Sequence, residues 1–197
     1  TIIGGNQLTA IEYTLPVASA QIKSCLLLAG LYSEGMTSII ENGISRDHTE
    51  RMLKGFGYDV TKSNNKISLL GGGSLKGCDI EVPSDISSAA FFMVAGCISK
   101  NSSIILNSVN INPTRTGVID ILKLMGGNIE LLNQRLQAGE LIADIKVSSS
   151  NLKGIQIPES LVPLAIDEFP VLFIAASCAD GETVLTGAKE LRVKESD

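Results

Sequence analysis

The feature that most constrains this 197-residue chain is an internal repeat. Three times an apolar, helix-like run ends in small residues, turns, and enters a stretch rich in β-branched residues. The copies read Leu26-Leu27-Leu28-Ala29-Gly30 before Met36-Thr37-Ser38-Ile39-Ile40, Met93-Val94-Ala95-Gly96 before Ser102-Ser103-Ile104-Ile105-Leu106, and Ile174-Ala175-Ala176-Ser177 before Glu182-Thr183-Val184-Leu185. Gly35, Asn101 and Gly181 occupy the three turns, where a chain leaving a helix favours a residue that tolerates positive φ.

The first two copies continue alike. Arg46 leads into a helix over Thr49 to Phe56 and then Gly57; Arg115 leads into a helix over Gly117 to Met125 and then Gly126-Gly127. Two short strands follow each, Tyr58 to Thr61 with Lys66 to Leu70, and Asn128 to Leu132 with Leu141 to Val147. The unit therefore reads strand, helix, strand, helix, strand, strand, and the third copy reaches only Arg192. One such unit buries a single helix face against a sheet, so copies must pack together. Ile22 to Leu28 and Ala89 to Ile98 are apolar almost all round, which predicts helices inside and sheets outside. Pro83 interrupts the pattern near Ile80 to Ser84, predicting two globular parts, residues 1–83 and 84–197.

Composition removes several function classes. Hydrophobic residues make up 44% of the chain, enough for a sizeable core, and 16 basic against 21 acidic residues give a formal charge of −5. No Lys/Arg run could track a phosphate backbone, so a nucleic-acid partner is not expected. The apolar runs are shorter than the roughly 18 residues of a membrane span, and no basic-then-apolar leader opens the chain, so a cytoplasmic protein is expected. Cys25, Cys78, Cys97 and Cys178 form no CxxC pair, and three of them lie in apolar helical runs, where a thiol behaves as a small buried hydrophobe. The single histidine, His48, lies in Asp47-His48-Thr49-Glu50 at a helix start and is read as a first-turn residue; neither metal nor cofactor is expected.

Repeated helix starts offer chemistry without lysines, because each presents unpaired N–H groups and about half a positive charge to an anion. Ser19-Ala20-Gln21 follows Pro16, and Ser84-Asp85-Ile86-Ser87-Ser88 follows Pro83. Ser87 and Ser88 are read equally well as caps, whereas at Ser19 the nearby Gln21 and Lys23 add donors on the same turn. These segments carry a resemblance. Leu15-Pro16-Val17-Ala18-Ser19-Ala20-Gln21-Ile22-Lys23-Ser24 and Ser45-Arg46-Asp47-His48-Thr49-Glu50 resemble the shikimate-3-phosphate segments of the 5-enolpyruvylshikimate-3-phosphate synthase family, in its Ser-Ala-Gln variety. Asn112-Pro113-Thr114-Arg115-Thr116-Gly117, Ile166-Asp167-Glu168-Phe169-Pro170 and Glu190-Leu191-Arg192-Val193-Lys194-Glu195-Ser196-Asp197 resemble that family too, in the same order. Five separate motifs are far more specific than one short pattern.

The resemblance implies an α/β (α+β) fold of repeated βαβαββ units, arranged as two inside-out, barrel-like lobes with internal helices and external sheets. It also implies transfer of the enolpyruvyl group of phosphoenolpyruvate to the 5-hydroxyl of shikimate-3-phosphate, by a full-length enzyme expected to be monomeric. Carried over by position, Ser19, Gln21 and the Ala20 backbone would hold the acceptor's phosphate and neighbouring groups, with Arg46 beside them and Lys194 also contacting the acceptor. Asp167 would take the 5-hydroxyl proton and Glu195 would move a proton at the enolpyruvyl methylene, two carboxyl roles that suit different environments. Asp167 also sits in an apolar stretch where a carboxylate is costly unless used or paired, and it can equally be read as a helix cap before Phe169. The family's Lys-Ser segment, Gly-rich loop and several arginines for phosphoenolpyruvate have no counterpart here, so a central fragment, inactive alone, is expected. Two other readings stand beside this one: a UDP-N-acetylglucosamine enolpyruvyl transferase, and a non-catalytic module built from the same repeat.

Overall fold

A computed structural model describes residues 4–194. The chain divides into two compact units, Thr1–Ile80 and Glu81–Asp197, the division falling three residues before the boundary read from Pro83. In the first unit the order is β1 (Glu12–Thr14), α1 (Ala20–Gly30), β2 (Met36–Ile40), α2 (His48–Gly55), β3 (Val60–Ser63) and β4 (Lys66–Leu70). The sheet order is β1-β2-β4-β3, with β1 parallel to β2 across α1 and the other pairs antiparallel. That is one complete βαβαββ unit. Its core is Leu15, Leu27, Ile39, Leu53, Tyr58, Val60, Ile67 and Leu69, drawn from both helices and alternate strand positions.

The second unit contains α3 (Ile86–Ile98), β5 (Ser103–Asn110), α4 (Gly117–Leu124), β6 (Asn128–Gln137), β7 (Glu140–Ser148), α5 (Phe169–Ser177) and the short α6 (Leu191–Lys194). Its sheet runs β5-β7-β6, all antiparallel. The strand that would precede α3 is reduced to one parallel bridge, Ser84 to Val109. Around α5 the same parallel relation survives as two bridges, Lys153 to Asp180 and Gln156 to Val184. The sequence predicted a strand over Glu182 to Leu185; a single bridge, Gln156 to Val184, stands there instead. The predicted turns hold positive φ: 102° at Gly35, 56° at Asn101 and 92° at Gly181.

The repeat also fixes how closely helix and sheet approach. A Cβ added to Gly30 would lie 2.9 Å from Thr37 Cβ, and one added to Gly96 would lie 3.0 Å from Val147 Cγ1. Each helix thus ends with its backbone against the sheet. The opposite sides of these helices carry exposed apolar groups: Ile22 and Leu28 on α1, Phe91 and Phe92 on α3, Phe173 and Ile174 on α5. Helices apolar all round meet a sheet on one side only, so one face stays open within each unit. For the same reason Cys97 is buried, and burial pushes its thiol up, whereas Cys25 and Cys178 are exposed rather than buried as their runs suggested.

One carboxylate pins the second sheet. Register shifts fall in β5 between Leu106 and Val109 and in β6 between Leu132 and Arg135, with Ser108 at φ 52° and Asn133 at φ 50°. Between them on β7, Asp144 accepts from Ser108 N–H at 2.8 Å and from Asn133 Nδ2 at 2.8 Å. The Asn133 amide, the Ser108 N–H and the Arg135 guanidinium hold its carboxyl below the ordinary value of 3.8. A lowered folded-state pKa stabilises above the unfolded value and loses that contribution as pH falls through it. Asp144→Ala is therefore expected to lower the melting temperature at pH 7, with the gap to the parent closing as pH falls below about 4 in parallel thermal melts.

Candidate functional site

In the first unit the residues read from sequence lie on α1 and on the connection from β2 to α2. Ser19 is the N-cap of α1, in extended conformation, and its hydroxyl accepts from Ile22 N–H at 3.3 Å. Ala20 opens the helix, Gln21 is exposed, and no acidic residue occupies the first turn. Arg46 is half-buried on the connection, two residues before α2. The connection is held to the segment before α1, Asn42 Nδ2 donating to Leu15 O at 2.8 Å, and α1 to α2, the Ser24 and Thr49 hydroxyls being 2.7 Å apart. Ser19, Ala20, Gln21 and Arg46 thus lie on neighbouring stretches of chain in the first unit that these bonds link.

Lys23 differs from its sequence reading as a donor beside Ser19. It is fully buried, and its Nζ lies 2.7 Å from Glu50 Oε1 and 3.2 Å from Glu41 Oε1, both carboxylates also buried. A lysine one turn into an apolar helix points inward here because two acids wait below it. His48 is the first residue of α2, as read, and half-buried.

The second unit carries a counterpart with different electrostatics. Asp85, 66 residues after Ser19, is the N-cap of α3 and accepts from Ser88 N–H at 2.9 Å; neither Ser87 nor Ser88 is the cap. Arg115, 69 residues after Arg46, lies 3.2 Å from Asp85 Oδ1 and 3.8 Å from Glu168 Oε1, and donates to Ser87 Oγ at 2.5 Å. Ser87 in turn donates to Glu168 at 2.5 Å. Partial burial pushes the Asp85 carboxyl up, but hydrogen bonds from Ser88 and Ser87 with the Arg115 charge outweigh it and hold it below the ordinary 3.8. Asn112 places Arg115: its side-chain oxygen accepts from Thr114 N–H at 2.9 Å and from the Thr114 hydroxyl at 2.8 Å, closing a turn. Gly117 N–H bonds Leu164 O at 3.2 Å, which brings the turn over residues 162–168 to the same place.

Asp167 lies in that turn, within a 3₁₀ segment, Ile166–Glu168, and is half-buried; it is not the helix cap, since Glu168 holds that position without a side-chain bond. The carboxylate taken deepest inside is Glu168, 3% exposed. Sequence reading passed over it because its partners, Ser87 and Arg115, are remote in the chain. Lys194 ends α6 in the second unit, and Glu195 lies outside the described residues. Among the described residues no group of three or more His, Cys, Asp or Glu side chains could hold a metal ion, and no helix is long and apolar enough to cross a membrane.

The family model described as EPSP synthase (3-phosphoshikimate 1-carboxyvinyltransferase) matches residues 1–197. The chain belongs to the EPSP synthase family. Relatives named 3-phosphoshikimate 1-carboxyvinyltransferase include those of Ruthia magnifica, 66% identical over 196 residues, and Vesicomyosocius okutanii, 64% identical over 196 residues; each match covers 100% of this chain and 45% of the relative. An EPSP synthase structure from Acinetobacter baumannii superposes with a TM-score of 0.94 at 64% identity, covering 98% of this chain and 44% of that one. The chain therefore carries the enolpyruvyl transferase fold of repeated βαβαββ units that the resemblance implied, and spans under half the length of these family members.

The buried Glu168 makes Arg115 the sensitive member of the second network. Removing the cation of a buried ion pair takes the facing charge away from the carboxylate, so Arg115→Met is expected to lower unfolding free energy by about 3–5 kcal/mol. In urea unfolding, Arg115→Met with Glu168→Leu should recover most of that loss.

Proposed function

We propose that the full-length protein bearing this chain transfers the enolpyruvyl group of phosphoenolpyruvate to the 5-hydroxyl of shikimate-3-phosphate and releases phosphate, acting as a cytoplasmic monomer. Family membership over residues 1–197 supports the reaction class, and the relatives at 64% and 66% identity carry the enzyme's name. The observation that carries the site is local: an α1 entry with a neutral Ser19 cap and no first-turn acid, fastened against the connection that holds Arg46. Such an entry favours an anion through its N–H groups and partial positive charge, and an arginine adds charge-assisted donors.

In this reading Ser19, the Ala20 backbone, Gln21 and Arg46 hold the acceptor's phosphate and adjoining groups, and Lys194 contacts the acceptor. Asp167 accepts the proton of the 5-hydroxyl as its oxygen bonds to the substituted alkene carbon of phosphoenolpyruvate. Glu195 delivers a proton to the methylene carbon, then removes one as the carbon–oxygen bond to phosphate breaks and the alkene reforms. A half-buried carboxylate at the start of the apolar α5 is a suitable general base, and such a group contributes about 10²- to 10⁴-fold. The 197-residue chain alone is proposed to be inactive.

In the full-length protein, Asp167→Ala is expected to lower kcat by about 10²- to 10⁴-fold in a phosphate-release assay. Gln21→Ala and Arg46→Ala should mainly raise KM for shikimate-3-phosphate. Unchanged turnover in Asp167→Ala would point to a non-catalytic module, and dependence on UDP-N-acetylglucosamine as acceptor to the sister transferase.

A further inference from the structure

Lys23, Glu41 and Glu50 form a buried triad that the proposed chemistry does not use. One ammonium between two carboxylates, all nearly sealed from water, is a costly arrangement unless the geometry is well satisfied. Glu41 is the better-held carboxylate, whereas among the described residues Glu50 Oε2 has no hydrogen-bond partner and Lys23 Nζ meets its carboxylates as ion pairs alone. Glu41 also accepts from the Ser45 hydroxyl, while its backbone N–H bonds Asn65 O at 2.9 Å and its carbonyl accepts from Asn65 Nδ2 at 3.1 Å. Glu50 lies in the first turn of α2, and the Ser24–Thr49 contact lies beside it.

The triad therefore joins three places: the second turn of α1, the end of β2, and the entry of α2. Ser19, Ala20 and Gln21 open the first of these elements, and Arg46 lies between the other two. We propose that Lys23, Glu41 and Glu50 are positioning residues for the acceptor site, holding the α1 entry and the Arg46 connection at one spacing without touching ligand. This rests on the acceptor-site reading given above. Charges suit the task because one ammonium shared by two carboxylates stays favourable inside only while all three side chains, and so their three elements, remain together.

The test uses the full-length protein with Lys23→Met, Glu41→Gln and Glu50→Gln combined, which removes every triad charge at nearly constant volume. Calorimetry with shikimate-3-phosphate should show Kd raised about tenfold to a hundredfold, the range expected when a supporting contact lets a site drift by up to an ångström. The rise in KM should exceed any fall in kcat, with the melting temperature within a few degrees of the parent. Parent-like Kd in this folded variant would overturn the proposal. Should the combined variant fail to fold, Glu41→Gln alone keeps the Lys23–Glu50 pair, and parent-like Kd there would equally overturn it. Gln21→Ala and Arg46→Ala separate the two ideas. If they too bind shikimate-3-phosphate like the parent, the acceptor site itself is misassigned; if they weaken binding while the triad variants do not, only the positioning role fails.

Discussion

The structure depends on backbone-close contact between the end of an apolar helix and the sheet beside it. Gly30 against Thr37 leaves no room for a Cβ, and at Gly96 a Cβ would press Val147 and Ile104 side chains by a few tenths of an ångström, so each helix settles at a depth close to its sheet. From that depth follows the rest of the unit. The chain leaves the helix, turns through a residue at positive φ, and enters a strand parallel to the segment before the helix, which is β1 in the first unit and isolated bridges in the second. Apolar packing then organises each core, with fully buried side chains such as Ile39, Ile67, Met93 and Leu122 contributing about 1.5–3 kcal/mol apiece.

Much of this architecture was legible in the chain because it is written in local terms. Periodicity separates strands from helices, and Gly35, Asn101 and Gly181 announce turns that the structure holds at positive φ. Length was less legible: β6 runs five residues past the predicted Leu132, since a bulge at Asn133 lets pairing with β7 resume beyond it. The exposed faces of α1, α3 and α5 were not legible. A helix apolar on all sides reveals that it can be enclosed, not how much of it its own unit encloses.

Site residues divide along the same line. A cap at Ser19 is a local signal, though the donors at Gln21 and Lys23 drew the reading away from it. Lys23, Glu50, Arg115 and Glu168 are paired across long stretches of chain, Ser87 reaching Glu168 over 81 residues, and no spacing rule reports such encounters. A lysine and a glutamate inside apolar runs were the available signals. Each is expensive to bury alone, so each foretold a partner without naming it.

The contrast between Ser19 and Asp85 has a consequence for how a repeated frame diversifies. Both cap a helix 66 residues apart, and each is matched by an arginine on the following connection. In one copy the cap is uncharged; in the other it brings its own carboxylate, which Arg115 engages. A single side chain thus decides whether the helix entry carries an acid of its own. Two copies of one repeat can differ in the charge at a shared position.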